Sequence, residues 1–335
     1  MNEERFSTRY FTSSTASQPP SSDQDQLQAD DGSPTRAADG RALVLGGGGS
    51  AGNAWLIGVV AGLFDAGLDV TDADLIIGTS AGSTAAAQIT GASPTQLLAD
   101  ILHAAPQQQP HPAGADRARV STGPVVDHLR RTSEIIAGAA DPVDMRRKLG
   151  ASALELEAAS DGSWPTRWRA TVAPRLPSQD WPRRPVLITA VDARTGEPVV
   201  FDRHSGVDLV DAVAASTSSG LPYGIGDGRF IDGGYRRSSE NADLAAGYGR
   251  VLVLSPLGGR SRAPLEWGMH LAAQVDELRA RGSRVETILP DSNSRDAFGS
   301  NLMDPSTRPA AARAGYHQGG TLAGELTDFW ETHER

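Results

Sequence analysis

Two short apolar runs near the start of the chain each break off into glycine, and a stretch with helical spacing follows each at once. Residues 42–45 (Ala-Leu-Val-Leu) run into Gly46-Gly47-Gly48-Gly49, and residues 74–77 run into Gly78-Thr79-Ser80-Ala81-Gly82. Short apolar runs without alternation fit strands buried on both faces, and glycine permits the sharp reversal into a helix. Repeated strand–turn–helix units lay their strands parallel, with helices covering both faces of the sheet. Spacing predicts further strands at 185–191, 198–201, 250–254 and 285–289. It predicts helices at 53–65, 81–90, 94–103, 125–159, 207–215, 265–280 and 308–330. The expected class is α/β with a mainly parallel central sheet.

The chain has 335 residues, and its ends and middle differ in character. Residues 1–40 are rich in Ser, Thr, Gln, Asp and Pro and read as a disordered tail. The remainder, 41–335, reads as one domain carrying a helical insertion at about 104–182. Within that insertion, 104–124 reads as a loop and 164–181 as irregular, with Trp164, Trp168 and Trp181 read as packing residues. The run Arg146-Arg147-Lys148 reads as a solvated helix face, and 291–296 as a polar loop. A net charge of −10 argues against a sequence-independent nucleic-acid binder, which needs a basic footprint. The absence of cysteine excludes disulfides, thiolate nucleophiles and Cys-ligated zinc. No stretch is apolar enough to span a bilayer, and residues 1–38 lack the apolar core of a signal peptide. The expectation is a cytoplasmic protein that meets lipid only in transient contact at a membrane surface.

Ser80 is the candidate nucleophile. In G-x-S-x-G, a serine on a tight strand-to-helix turn is exposed, and the flanking Gly78 and Gly82 remove side chains that would clash. The following helix aims its positive end at charge developing in the reaction. The bare pattern also describes a small-residue turn that only packs a helix onto a sheet; the strand before it and the helix after it favour catalysis. Gly47, Gly48 and Gly49 are candidate oxyanion-hole residues, because glycine lets main-chain N–H groups approach a reacting carbonyl. The same run matches the dinucleotide fingerprint as Gly47-x-Gly49-x-x-Gly52. That fingerprint wants an acidic residue at the end of the second strand, where this chain has Gly78-Thr79-Ser80.

A serine nucleophile needs a proton acceptor. Asp232 follows a short apolar stretch and precedes Gly233-Gly234, although Asp-Gly is also an ordinary turn. Asp192 and Asp202 are rival carboxylates near strand ends, and His204, His270 and His317 are rival bases for a conventional triad.

Taken in order, Leu43-Val44-Leu45 with its four glycines, Ile77-Gly78-Thr79-Ser80-Ala81-Gly82-Ser83, and Asp232-Gly233-Gly234 resemble the patatin-like phospholipase family. Ala214-Ala215-Ser216-Thr217, Pro222 and Asn241-Ala242-Asp243-Leu244-Ala245 add to the match, which covers about residues 42–257. The resemblance implies a three-layer α/β/α sandwich, a Ser80–Asp232 dyad without a catalytic histidine, and an oxyanion hole at Gly47–Gly49. It implies hydrolysis of lipid acyl esters through an acyl-enzyme, with no cofactor and no metal. It leaves oligomeric state undetermined. The alternative is a patatin-fold protein that binds lipid or regulates without turnover. One position departs from the family, which often has a basic residue where this chain has Ala51.

Overall fold

The computed structural model describes residues 39–104 and 123–331. The tail expected at 1–40, up to residue 38, and the loop expected at 104–124, over 105–122, lie outside the described residues. All described residues fall within one compact unit, Arg36–Arg335.

The strands are β1 (Arg41–Leu45), β2 (Leu75–Gly78), β3 (Val186–Asp192), β4 (Pro198–Phe201), β5 (Tyr223–Ile225), β6 (Gly228–Asp232), β7 (Arg250–Leu254) and β8 (Arg284–Ile288). The helices are α1 (Gly49–Asp65), α2 (Ala81–Gly91), α3 (Pro94–His103), α4 (Gly123–Ala137), α5 (Pro142–Ala158), α6 (Trp164–Val172), α7 (Leu209–Ser216), α8 (Leu271–Ala280), α9 (Ser292–Phe298) and α10 (Arg308–Glu331).

One sheet runs in the order β5-β6-β3-β2-β1-β7-β8, with β4 also on β3. β3, β2, β1, β7 and β8 are parallel to one another. The hairpin strand β4 and the strand β6 run antiparallel to β3. Ile188 of β3 pairs with Gly78 of β2 and with Phe201 of β4, so those two strands lie on opposite edges. Ala190 pairs with both β4 and β6, so β6 lies on the same edge as β2. β2 ends opposite Ile188, and β6, running the other way, ends with Asp232 opposite Ala190. The two strands therefore meet head to head along one edge of β3.

The pleat sorts the core into layers. Leu43, Leu45, Ile76, Leu252 and Leu254 pack with α1, α2, α7 and α10 on one face. Ala42, Val44, Ile77, Val251 and Val253 pack with Leu271, Val275 and Leu278 of α8 on the other. This is a three-layer α/β/α sandwich. α1 is buried from Ala51 to Leu63, because α10 covers the side that the sheet does not. Small residues permit that: a Cβ on Gly58 or Gly62 would collide with the backbone of Ala312 or Tyr316, and one on Gly315 or Gly319 with that of Trp55 or Val59.

Several elements correct the sequence reading. The stretch expected to be irregular begins with α6, since Pro165 occupies the first turn, where no N–H is needed. The helix expected over 125–159 is two, because Asp141 caps α5 by accepting from the Val143 and Asp144 amides, and Pro142 opens it. The polar loop at 291–296 is mostly α9, capped by Asp291 through the Ser294 amide at 2.7 Å. β5 was missed; it forms a hairpin with β6 around Gly226, whose φ is 53°. Arg146 is tied to the β3–β4 turn through Gly196 O at 2.8 Å, and only Arg147 and Lys148 of that run are exposed. Trp168 and Trp181 donate to Ala214 O and Val207 O, as packing residues do.

Candidate active site

The turn between β2 and α2 places Ser80 at φ 53°, ψ −117°, a conformation that costs a non-glycine residue about 1–3 kcal/mol. The turn is this tight because it lies against the end of β1. A Cβ on Gly82 would run into Leu45 O, and one on Gly78 into the backbone of Gly82 and Ser83. The Ser80 amide donates to Ser216 Oγ at 2.9 Å, which pins the turn to the end of α7.

The head-to-head meeting of β2 and β6 delivers Asp232 to this turn. Ser80 Oγ donates to Asp232 Oδ2 at 2.8 Å across 152 residues of chain. The other carboxylate oxygen accepts from the Gly234 amide at 2.8 Å, and the Asp232 amide donates to Ser218 O at 2.8 Å. Only 8% of Asp232 is exposed. Burial pushes its pKa up to about 6; the Gly234 amide, the Ser80 hydroxyl and the charge of Arg262 oppose that rise without cancelling it.

A buried polar brace holds both turns from below. Thr79 and Thr189 share a hydrogen bond of 2.9 Å between their hydroxyls. Asn241, in the left-handed region at φ 53°, donates from Nδ2 to Thr79 Oγ1 at 3.0 Å and to Gly233 O at 2.9 Å. It thereby links the residue before Ser80 to the residue after Asp232.

The glycine run closes the third side. A Cβ on Gly47 would lie 3.4 Å from Ser80 Cβ, so the run passes directly beside the hydroxyl. The Gly47 amide, however, donates to Ser239 O at 2.8 Å, which corrects the expectation that it belongs to the oxyanion set. Among the described residues the amides of Gly48 and Gly49 have no acceptor, and these two remain. Beneath the run, the buried Glu240 carboxylate accepts from the hydroxyls of Ser238, Ser239 and Ser255 at 2.6–2.8 Å. α1 starts at Gly49, four residues earlier than its spacing suggested, and α2 starts at Ala81. Two helix N-termini, each a partial positive charge, thus begin beside the hydroxyl.

Ala51 is fully buried, and a cation reaches this region from elsewhere. Arg308, at the start of α10, donates from Nη1 to Ser50 O at 3.0 Å and Asn53 Oδ1 at 3.1 Å. Asn53 Nδ2 donates on to Gln88 Oε1 at 2.9 Å and Ala81 O at 3.4 Å. Burial and the neighbouring Arg175 push the Arg308 pKa down to about 10, which leaves it charged at neutral pH. No local signal marked Arg308 or Asn53, since their partners are distant in sequence.

The rivals are elsewhere. Asp192 and Asp202 each accept from amides two residues on and serve turns. Among the described residues, His204, His270 and His317 make no hydrogen bond to Ser80 or Asp232. A buried carboxylate holding a strained hydroxyl, beside free amides and two helix N-termini, is equipped for nucleophilic attack on a carbonyl with the resulting oxyanion received by main chain.

The family model described as "Patatin-like phospholipase" matches residues 43–246. No curated protein matches the chain at a significant level. Among solved structures, VipD from Legionella pneumophila is 13% identical with a TM-score of 0.38, the match covering 86% of this chain and 67% of that one. The type III effector protein ExoU is 16% identical with a TM-score of 0.36, the match covering 90% of this chain and 55% of that one. The chain thus spans about two thirds of the first and little more than half of the second.

Proposed function

This chain belongs to the patatin-like phospholipase family, and on that premise we propose that it hydrolyses lipid acyl esters with Ser80 as nucleophile and Asp232 as general base. The observation that carries the reading is the 2.8 Å contact between Ser80 Oγ and Asp232 Oδ2 at a strained turn. Asp232 takes the hydroxyl proton as Oγ bonds to the acyl carbon. The carbonyl oxygen becomes an oxyanion, received by the amides of Gly48 and Gly49. Collapse of the tetrahedral species breaks the ester C–O bond, and Asp232 returns the proton to the leaving alkoxide. Water, deprotonated by the same carboxylate, then attacks the acyl-enzyme and releases the fatty acid and Ser80. With a pKa of about 6, Asp232 is ionised at neutral pH yet basic enough to accept a proton.

The test is labelling with a fluorophosphonate, with the modified residue mapped by mass spectrometry. The label is expected on Ser80. Ser80→Ala and Asp232→Asn are each expected to lower ester hydrolysis by about three orders of magnitude or more. The alanine variants of His204, His270 and His317 are expected to stay active. An unlabelled protein that still binds lipid would replace hydrolysis with a binding role.

A further inference from the structure

One buried acid takes no part in the dyad. Glu240 is fully buried, and among the described residues it pairs with no cation. A carboxylate removed from water is costly unless donors replace its lost hydration. Three hydroxyls do so here, and they come from the segments on which the glycine run rests.

Glu240 Oε1 accepts from Ser239 Oγ at 2.8 Å and from Ser255 Oγ at 2.6 Å. Those two residues hold the run at successive points. Ser239 supplies the carbonyl that takes the Gly47 amide. Ser255 stands between Leu254, whose carbonyl takes the Gly46 amide, and Pro256, whose ring lies directly against Gly48. A Cβ on Gly48 would come within 2.6 Å of Pro256 Cβ. A Cβ on Gly46 would stand 3.4 Å from Glu240 Cγ, so the side chain of the acid itself passes under the run. One oxygen atom therefore ties together the floor beneath Gly46, Gly47 and Gly48.

Oε2 makes the remaining contact, accepting from Ser238 Oγ at 2.7 Å. The Ser238 hydroxyl oxygen already accepts from the Glu240 amide at 3.0 Å, the Asn241 amide at 3.3 Å and Gln274 Nε2 at 2.9 Å. Its own proton must therefore go to an acceptor. Only a group that accepts on both arms satisfies all three hydroxyls. A glutamine with its oxygen on Ser239 and Ser255 would turn its NH2 against the Ser238 proton; turned over, it would leave the other two hydroxyls without their acceptor.

We propose that Glu240 is a positioning residue of the oxyanion hole: by joining Ser239 to Ser255 it fixes where the Gly48 and Gly49 amides stand relative to the Ser80 hydroxyl. This rests on the acyl-hydrolase reading and adds a residue to that site. Glu240 works through the glycine run, and so on the charge that develops on the carbonyl oxygen rather than on the uptake of substrate.

The test compares the unmodified protein with Glu240→Gln and Ser239→Ala, using p-nitrophenyl butyrate as the ester. Two inhibitors with the same alkyl chain accompany it: a trifluoromethyl ketone, which Ser80 converts to a tetrahedral oxyanion, and the matching methyl ketone, which binds as the carbonyl. Glu240→Gln is expected to lower kcat and the affinity for the trifluoromethyl ketone by about a hundredfold each, with KM and methyl-ketone affinity changed by no more than about twofold. Ser239→Ala keeps the acid and removes one arm; it is expected to lower the same two quantities by about tenfold, and it carries the test if Glu240→Gln does not fold. Unchanged kcat in either folded variant overturns the proposal. So does an equal loss of affinity for both ketones, which is what a general loosening of the site would give. An unmodified protein that neither hydrolyses the ester nor takes a fluorophosphonate label overturns the hydrolase reading and this one with it, whereas an active protein with unaffected variants overturns this one alone.

Discussion

Ser80 combines an unfavourable backbone conformation with the reactive hydroxyl, and the two can be separated by substitution. Ser80→Gly and Ser80→Ala both delete the hydroxyl, but only glycine relaxes at φ 53°, ψ −117°. Chemical denaturation is expected to find the glycine variant more stable than the alanine variant by about 1–3 kcal/mol, with both inactive. Equal stabilities would mean that the turn stores no strain. Asp232 carries the pH dependence. The proposed mechanism needs its carboxylate, so kcat/KM is expected to rise with pH through an apparent pKa of about 6 and to fall tenfold per unit below it. Stability runs the opposite way. The folded protein retains a proton that the unfolded chain releases near pH 4, so this contribution is full below about 4 and lost as pH passes about 6. Relative to Asp232→Asn, the unmodified protein is therefore expected to lose about 2–3 kcal/mol between those limits, read from denaturation midpoints. The contact between Ser80 and Asp232 was legible in the sequence because each sits among glycines that let backbones close in. Arg308 was not, because its partners Ser50 and Asn53 lie some 250 positions away. Gly47 was misjudged, because its amide is consumed by Ser239, a contact that only the folded chain creates.

At the level of elements, the pairing of α1 with α10 rests on the absence of side chains at four glycines. Gly58→Ala would press a methyl group into Ala312 O and force the helices apart. Such overpacking is expected to cost about 1–3 kcal/mol or more, despite alanine's better helix propensity, and would appear as a lowered denaturation midpoint. Gly324, on the same helix but with open space around it, is the control, and Gly324→Ala is expected to be neutral or stabilising. The parallel strands were readable because burial on both faces gives them unbroken apolar runs. α6 and α9 were not, because the proline that opens α6 and the aspartate that caps α9 look like loop residues until the first turn closes. β5 has three residues, too few for any alternation to register.

Across the whole molecule, distant segments converge on one point. β1 supplies the glycine run, β2 the hydroxyl, β6 the carboxylate, and α10 the cation that bridges α1 towards α2 through Asn53. Arg308→Met is expected to lower kcat about tenfold with little change in midpoint, because it loosens the registration of the glycine run against Ser80. Arg308→Lys is expected to recover part of that loss, since one ammonium replaces a planar fork that serves two acceptors. A large fall in stability with unchanged kcat would assign Arg308 to packing instead. Among the described residues no helix is long and apolar enough to cross a membrane.

β3 carries the ends of both strands on a single edge, and together with the Asn241 brace it sets the distance between hydroxyl and carboxylate. A refolding chain that has built β1, α1, β2 and α2 owns a complete nucleophile turn and no base. Recovery of turnover after dilution from denaturant should consequently trail the return of helical ellipticity and tryptophan emission, and so time the docking of the later segment rather than collapse of the earlier one.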